Sequence, residues 1–567
     1  MKKIYLFSFV FVLLSCNKTG TNGSSCEASV IDFSFFDKSK ITIDSVSIIN
    51  TKNEHLIEFY RKHQFETVWD SKSDRDSLLF EISNSENEGL EPEDYNNMEL
   101  HSLEEKREDL PDSIVTKYDI LLTRSAQRLI NHLSKGKLNP KLLYANWDLE
   151  EKKVPINAIL EDALDNDNLK TAIENCKPKH WMYQRLKASL RILKQFPKDN
   201  LTELVDLKER IIPNKKNKYL PLIKRRLMYW GDMTEKDTLL TTLYNKKTQE
   251  AVKLFQTRHG LKSDAVIGRS TIDALNFSRN QRIEQVIANL ERWRWFANDF
   301  GSHYLLINIP DYSIVAVKNK DTLQSQRVVV GRDTRKTPVL DSKLSNINLN
   351  PNWTVPPTIL KEDIYPDAIK NPGVFKKKGL VILDSKNNEI NPLDWKMEDA
   401  GKYKYVQKPS RNNSLGSMKI NFPNHYSVYL HDTNHRNFFA FSFRSLSSGC
   451  VRLEKPLEMA AYILNDTIKW PLQRIKDTTN IAYYWKLQRK KQQEIELKNA
   501  KLIAKNPALI IEKKTFPKPE LKTIVIKVNE NIRLHQLYWT AWETKGVLNF
   551  IEDIYCLDAD LYNKLRQ

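Results

Sequence analysis

Tyr429-Leu-His-Asp-Thr433, followed after a short interval by Ser447-Ser-Gly-Cys-Val-Arg452, is the most informative stretch of this chain. Val428 to Leu430 reads as a strand, which puts His431 at a strand end. Ser447, Ser448 and Gly449 favour a tight turn with exposed backbone N–H groups. Such a turn presents the Cys450 thiol and offers an oxyanion hole. A cysteine beside a histidine is an activated nucleophile. Either the imidazole takes the thiol proton, or a preformed ion pair lowers the thiol pKa well below about 8.5. Arg452 adds positive charge beside the thiolate or holds a substrate carboxylate. Each residue also has a plainer role: Cys450 as a buried apolar residue, His431 as a core histidine, Arg452 in a surface ion pair. His431 and His435 stand four apart, like a zinc pair on a helix. Asp432-Thr433-Asn434 argues for a turn instead, and no glutamate stands where that motif has its general base, so no metal is expected.

Outward from this stretch the pattern stays β-rich. Tyr304-Leu-Leu-Ile-Asn-Ile309, Ser313-Ile-Val-Ala-Val317, Arg327-Val-Val-Val330 and Ser427-Val-Tyr-Leu430 are short runs bounded by turn residues. They predict a mostly β domain over 298–475. Residues 350–412 interrupt it with Pro, Asn, Lys and Trp, from Asn350-Pro-Asn-Trp-Thr-Val-Pro-Pro357 to Gln407-Lys-Pro-Ser-Arg411. An irregular segment of that length inside a domain predicts a lid or binding loop.

The residues before it are helical. In 41–215, Leu122, Ala126, Leu129, Ile130 and Leu133 fall on one face, as do Leu186, Leu190, Leu193 and Phe196. Residues 216–278 form a compact unit. Leu220, Leu222, Ile223, Leu227 and Met228 mark one helix, and Ala251, Leu254 and Phe255 the packed face of a second, which Gly260 stops. Ile272, Ala274 and Leu275 belong to a third. The string Ala251-Val-Lys-Leu-Phe-Gln-Thr-Arg-His-Gly-Leu261 with Asp264-Ala-Val-Ile-Gly268 resembles the three-helix peptidoglycan-binding-like module, with Ala265 where glycine is usual. After 475, residues 476–567 hold a basic segment, which reads as a solvated helix over 485–514, and an apolar end that docks back on the helical part. The fold class expected is multidomain α+β: a helical scaffold, a three-helix module and a mostly β catalytic domain with a lid.

The chain of 567 residues has room for about three or four domains. Its 40% apolar and 28% charged content describes a soluble globular protein. The net charge of +18 is spread along the whole chain. No RNA-binding signature or zinc-finger spacing accompanies it, so nucleic acid is not an expected partner. Lys2 and Lys3 precede an apolar run from Ile4 to Leu14, too short for a spanning helix of about 20 residues. Leu13-Leu14-Ser15-Cys16 resembles a bacterial lipoprotein cleavage box. It implies a signal peptide over 1–15, lipid on Cys16, a polar tether over 16–40 and a periplasmic protein anchored to a membrane, the inner leaflet of the outer membrane favoured. Cys26, Cys176 and Cys556 then make at most one disulfide among themselves.

His431-Asp-Thr with Ser447-Ser-Gly-Cys-Val-Arg452 resembles the signature of the L,D-transpeptidase (YkuD-type) family, in its large Gram-negative branch with scaffold and peptidoglycan-binding-like domains. Ser448 stands where many members have histidine, and Ser410 where glycine usually follows Gln-x-Pro. The resemblance implies Cys450 as nucleophile and His431 as general base. It places Tyr429 beside the base and backbone N–H groups near Gly449 and Cys450 in the oxyanion hole, with Ser448 and Arg452 at the substrate. The implied reaction joins peptidoglycan stem peptides by 3→3 cross-links through a thioester, without cofactor or metal. The same site serves an L,D-carboxypeptidase or a ligase of proteins to the wall, and a wall-binding lipoprotein with an inert Cys450 is the non-enzymatic alternative. No oligomeric state is implied.

Overall fold

The computed structural model describes residues 40–200, 203–204, 209–234, 240–506 and 516–567. The expected leader, Cys16, Cys26 and all but the last residue of the tether lie outside them. Among the described residues no helix is long and apolar enough to cross a membrane.

The helical beginning has its own core, from Ile43 to Ile173. Its longest element, Asp112–Lys135, buries Leu122, Ala126, Leu129, Ile130 and Leu133. Gly136 ends it with φ +92°. The single unit expected over 41–215 divides, however. Leu186, Leu190 and Leu193 of helix Trp181–Gln195 belong to the larger core that holds the β domain. They pack there against helix Arg279–Trp295.

Helices Leu220–Tyr229, Lys246–Arg258 and Arg269–Asn276 close a third core around Leu220, Ile223, Val252, Phe255 and Leu275. Leu254, expected on the packed face, is 50% exposed, and Val252 takes that place. Ala265 holds the turn with φ +59°, the left-handed region that favours glycine.

The β domain is one 12-stranded mixed sheet. Its strands in chain order are β1 (Trp147–Asp148), β2 (His303–Asn308), β3 (Ser313–Lys318), β4 (Asp321–Gly331), β5 (Val339–Lys343), β6 (Asn346–Leu349), β7 (Met418–Asn421), β8 (Leu430–His431), β9 (Ser445–Ser447), β10 (Val451–Leu453), β11 (Ile524–Lys527) and β12 (Arg533–Leu537). They lie in the order β1-β5-β12-β2-β3-β4-β10-β8-β7-β6-β11, and β9 pairs with β4. Residues 476–567 dock on the helical part, where Lys137 Nζ donates to the Leu565 carbonyl at 2.7 Å, and they also enter the sheet. β12 runs parallel to β2 and antiparallel to β5, inside the sheet, and β11 forms its edge against β6. Leu534 and Leu537 are fully buried there, which a docking segment on the outside would not achieve.

The strand expected over 427–430 begins only at Leu430. Asn424 accounts for this. Its Oδ1 accepts the Val428 N–H at 3.1 Å and its Nδ2 donates to the Val428 carbonyl at 2.9 Å. Val428 thus has no groups left for a ladder.

The interrupting segment is not irregular, as expected, but folded. Trp353–Thr354, Lys404–Gln407, Leu380–Leu383 and Glu389–Ile390 form a separate four-stranded sheet. Phe375, Trp395 and Tyr405 pack beneath it. Asn413 Nδ2, donating to the Pro351 carbonyl at 3.0 Å, ties its two ends together. Helix Ile481–Lys505 buries no residue, as its charges predict, and residues 507–514 of the expected solvated helix lie outside the described residues.

Arg292 of helix Arg279–Trp295 is fully buried and pairs with Asp558 at 2.5 Å. Removing one partner of a buried pair leaves the other charge uncompensated. Asp558→Ala should therefore lower stability by about 3–5 kcal/mol. A denaturant titration checks this, with a lower midpoint at unchanged slope as the expected result.

Candidate active site

Two residues of parallel ladder build the site. β8 pairs with β10 through Leu430↔Val451 and His431↔Arg452. The Val451 N–H also donates to the Tyr429 carbonyl at 3.2 Å, which brings Tyr429 alongside Cys450. On the other side of β8, His431 is opposite Lys419 of β7. Directly paired residues share a face of the sheet. Lys419, His431 and Arg452 therefore stand in one row, a cation on each side of the imidazole. Met418 and Ile420 alternate with Lys419 and are buried on the other face.

The turn before β10 is set by its serines and glycine. The Ser447 hydroxyl donates to the Cys450 carbonyl at 2.6 Å and accepts the Gly449 N–H at 3.2 Å. Gly449 has φ +107°, which a residue with a Cβ rarely adopts. Arg335 Nη1 donates to the Ser448 hydroxyl at 3.0 Å and pairs with Asp363 Oδ2 at 2.6 Å.

Tyr429, His431, Ser448, Gly449, Cys450 and Arg452 line one cavity of about 790 Å³. The 350–412 segment supplies another wall, with Trp353, Ile359 and Lys376 through Leu380 among its residues. His435 lines it too, stacked on Phe438 at 5.1 Å. Asp432 turns to other work. Its carboxylate accepts from the Ser417 N–H at 2.9 Å and from Arg436 at 2.9 Å. Among the described residues no group of three or more His, Cys, Asp or Glu side chains could hold a metal.

Burial lowers the His431 pKa to about 3, with Arg452 next and Lys419 adding to it, while the backbone at Asp432 acts the other way. Burial pushes the Cys450 thiol up. Hydrogen bonding from the Tyr429 backbone, the charges of Lys419 and Arg452 and the Tyr429 side chain oppose that rise. Of the two resting states open to a Cys–His pair, these shifts favour neutral thiol with neutral imidazole over the ion pair. A neutral imidazole keeps one ring nitrogen able to accept a proton. Arg452 is half-buried, and its Nη1 donates to the Thr433 hydroxyl at 3.4 Å. Among the described residues no carboxylate pairs with it. Lys419 Nζ sits 3.8 Å from the centre of the Tyr429 ring.

Three stretches of the chain match known protein families. Residues 54–190 match the scaffold domain, 220–275 the "Putative peptidoglycan binding domain" and 302–478 the L,D-transpeptidase catalytic domain. A Haemophilus influenzae protein named "Putative L,D-transpeptidase" is 32% identical over 246 residues, 42% of this chain and 49% of that one. The chain thus spans about half the length of that curated relative. Two solved structures are also similar. One is an L,D-transpeptidase from Xylanimonas cellulosilytica, 14% identical over 47% of this chain and 96% of that one, with a TM-score of 0.16. The other, L,D-transpeptidase (Yku) from Stackebrandtia nassauensis, is 12% identical over 46% and 91%, with a TM-score of 0.20. At these TM-scores neither bears on fold or function.

The β domain brings the six residues expected from the sequence around one cavity, which Arg335 also lines, and it sets Lys419 beside His431 in the ladder. Arg335 is too far from the motif in sequence to be paired with Ser448. Lys419 carried one readable signal, a lone charge in the alternating run Met418-Lys-Ile-Asn421.

A thiol raised by burial and held down by Lys419 should titrate late. Alkylation of Cys450 by iodoacetamide, followed on its own peptide, should climb with pH above 8 rather than level off near 7. A cation beside a thiolate favours the charged form, so Lys419→Gln should move that climb to higher pH. A plateau near pH 7 in the wild type would mean that the resting site is an ion pair.

Proposed function

We propose that the protein is a peptidoglycan L,D-transpeptidase that forms 3→3 cross-links through a thioester on Cys450. The observation that carries this is that His431 and Cys450 line one cavity with Gly449 and Arg452, His431 being paired in the ladder with Arg452, and burial favours the neutral imidazole that a base needs. Cys450 Sγ attacks the carbonyl between the third stem residue and the terminal D-Ala, and His431 takes the thiol proton. The oxyanion of the tetrahedral intermediate is met by backbone N–H groups near Gly449 and Cys450. The carbonyl re-forms, the amide C–N bond breaks, and D-Ala leaves as an amine with the proton from His431. The side-chain amine of a second stem then attacks the thioester, and the thiol is regenerated. Cleavage of the old amide supplies the acyl group. Arg452 provides a cation for a substrate carboxylate, and the folded 350–412 wall limits water at the thioester.

The stretch matching the peptidoglycan-binding family fits the same polymer, and the leader with Cys16 fits a periplasmic lipoprotein. Water in place of the amine would make the enzyme an L,D-carboxypeptidase, and a protein amine would make it a ligase.

Purified tetrapeptide muropeptides incubated with residues 30–567 decide among these by product mass. A dimer lacking one D-Ala is the expected product. Free tripeptide alone would make it a carboxypeptidase, and no product would leave a wall-binding protein. Cys450→Ala should abolish acyl-enzyme and product together. His431→Ala should lose about 10²–10⁴-fold in cross-linking but keep slow acylation by a carbapenem, faster as pH rises from about 7 to 9. Near-normal activity there, with His435→Ala dead, would assign the base to His435.

For the anchor, Cys16→Ala should release the protein from the membrane fraction or leave it unprocessed. An unchanged mass and fractionation would remove the lipid from Cys16.

A further inference from the structure

The turn that presents Cys450 is held from behind by residues remote from it in sequence. Thr337 is fully buried. Its hydroxyl accepts the Gly331 N–H at 2.8 Å and donates to the Gly449 carbonyl at 2.9 Å. Its own N–H donates to the Tyr555 hydroxyl at 3.0 Å, and that hydroxyl donates to the Gly331 carbonyl at 2.6 Å. Both hydroxyls thus donate once and accept once, which fixes where each proton lies. Burial pushes the Tyr555 phenol up to about 12, so it keeps its proton across the working range.

Tyr555 is fixed in turn. Its N–H donates to the Tyr538 hydroxyl at 3.0 Å, which donates to Asp553 Oδ1 at 2.5 Å. Asp553 Oδ2 takes the Asp558 N–H at 2.6 Å, and Asp558 is the partner of Arg292. The chain of bonds runs from the buried helix through the C-terminal segment to the carbonyl of Gly449.

That carbonyl belongs to the same peptide group as the Cys450 N–H. In a planar trans peptide the two point in opposite directions. Holding the carbonyl toward Thr337, in the interior, turns the N–H the other way, toward the cavity that Gly449 and Cys450 line. Among the described residues no backbone acceptor takes it.

We propose that Thr337 and Tyr555 are positioning residues that aim the Cys450 N–H at the oxyanion of the acyl-transfer intermediate. The inference rests on the acyl-transfer reading above. It makes the C-terminal segment, which lies outside the matched catalytic stretch, part of what the oxyanion hole requires.

The test compares two reactions of the same thiol in the full chain. Acylation by a carbapenem builds an oxyanion. Alkylation by iodoacetamide is a displacement at a saturated carbon and builds none. Thr337→Val should slow acylation by about 10²-fold, the usual order for a lost oxyanion donor. Tyr555→Phe should slow it by about 10-fold, through Thr337. Thr337→Ser keeps the hydroxyl and should restore acylation to within about threefold. Alkylation of the Cys450 peptide should stay within about threefold in all of them. Alkylation falling in step with acylation, or acylation unchanged in Thr337→Val and Tyr555→Phe, would overturn the proposal. If Thr337→Val does not fold by circular dichroism, Tyr555→Phe against Thr337→Ser decides it by the same two rates. A wild type that alkylates but does not acylate would overturn the acyl-transfer reading, and the inference with it. A wild type that acylates alongside unaffected variants overturns the inference alone.

Discussion

Helix Arg279–Trp295 is buried along nearly its whole length, and it carries polar and charged side chains into that interior. Such groups are tolerated only where partners meet them. Two remote parts of the chain supply those partners. From the C-terminal side, the Thr540 and Ile551 carbonyls accept from Gln285, the Thr540 hydroxyl from Asn289, and Asp558 from Arg292. From the helical side, Glu291 accepts the Leu138 N–H at 2.9 Å, and Arg294 reaches the Tyr183 hydroxyl and the Glu88 carbonyl. The helix therefore binds the scaffold and the chain end to the β domain. Capping at its start is local, with Ser278 and Gln281 exchanging hydrogen bonds with each other's backbone.

The same constraint reaches the site. With the chain end held against this helix, β12 is carried between β5 and β2, and Tyr555 reaches Thr337. The 12-stranded sheet is then completed by residues that come after the long solvated helix. On its other half the sheet sets Lys419, His431 and Arg452 in a row across three strands. Two cations beside a buried imidazole work with desolvation to keep it neutral. A neutral imidazole can accept a proton, whereas a permanently charged one would only be an electrostatic partner. The cost is a thiol that burial makes harder to ionise, and the same two cations offset part of it.

The 350–412 segment has a core and a sheet of its own and lines one side of the cavity. Arg335 links it to the turn before Cys450, pairing with Asp363 on one side and Ser448 on the other. The length and composition of the segment were legible as an insertion. Its order was not, because the pairing of Trp353–Thr354 with Lys404–Gln407 spans most of its length and no short-range pattern announces such a contact.

What the sequence determined by itself was local. Helical periodicity marked Leu122 through Leu133, the three short helices around Phe255 declared one unit, and the solvated helix followed from its charges. The order Ser-Ser-Gly before Cys450 prescribed the tight turn, since only glycine enters φ +107° without strain. The pair His431 and Cys450 was visible because both lie in one short stretch with a family's spacing. Tertiary structure alone decided the rest. It put β12 inside the sheet, moved helix Trp181–Gln195 into the core of the β domain, let Asn424 delay β8, and brought Lys419, Arg335, Thr337 and Tyr555 around the motif. Each of these is a contact between residues far apart in the chain, set by which strand pairs with which and by the need of buried polar groups for partners. Periodicity and turn chemistry carry no record of such pairings, so they become readable only once the chain has closed on itself.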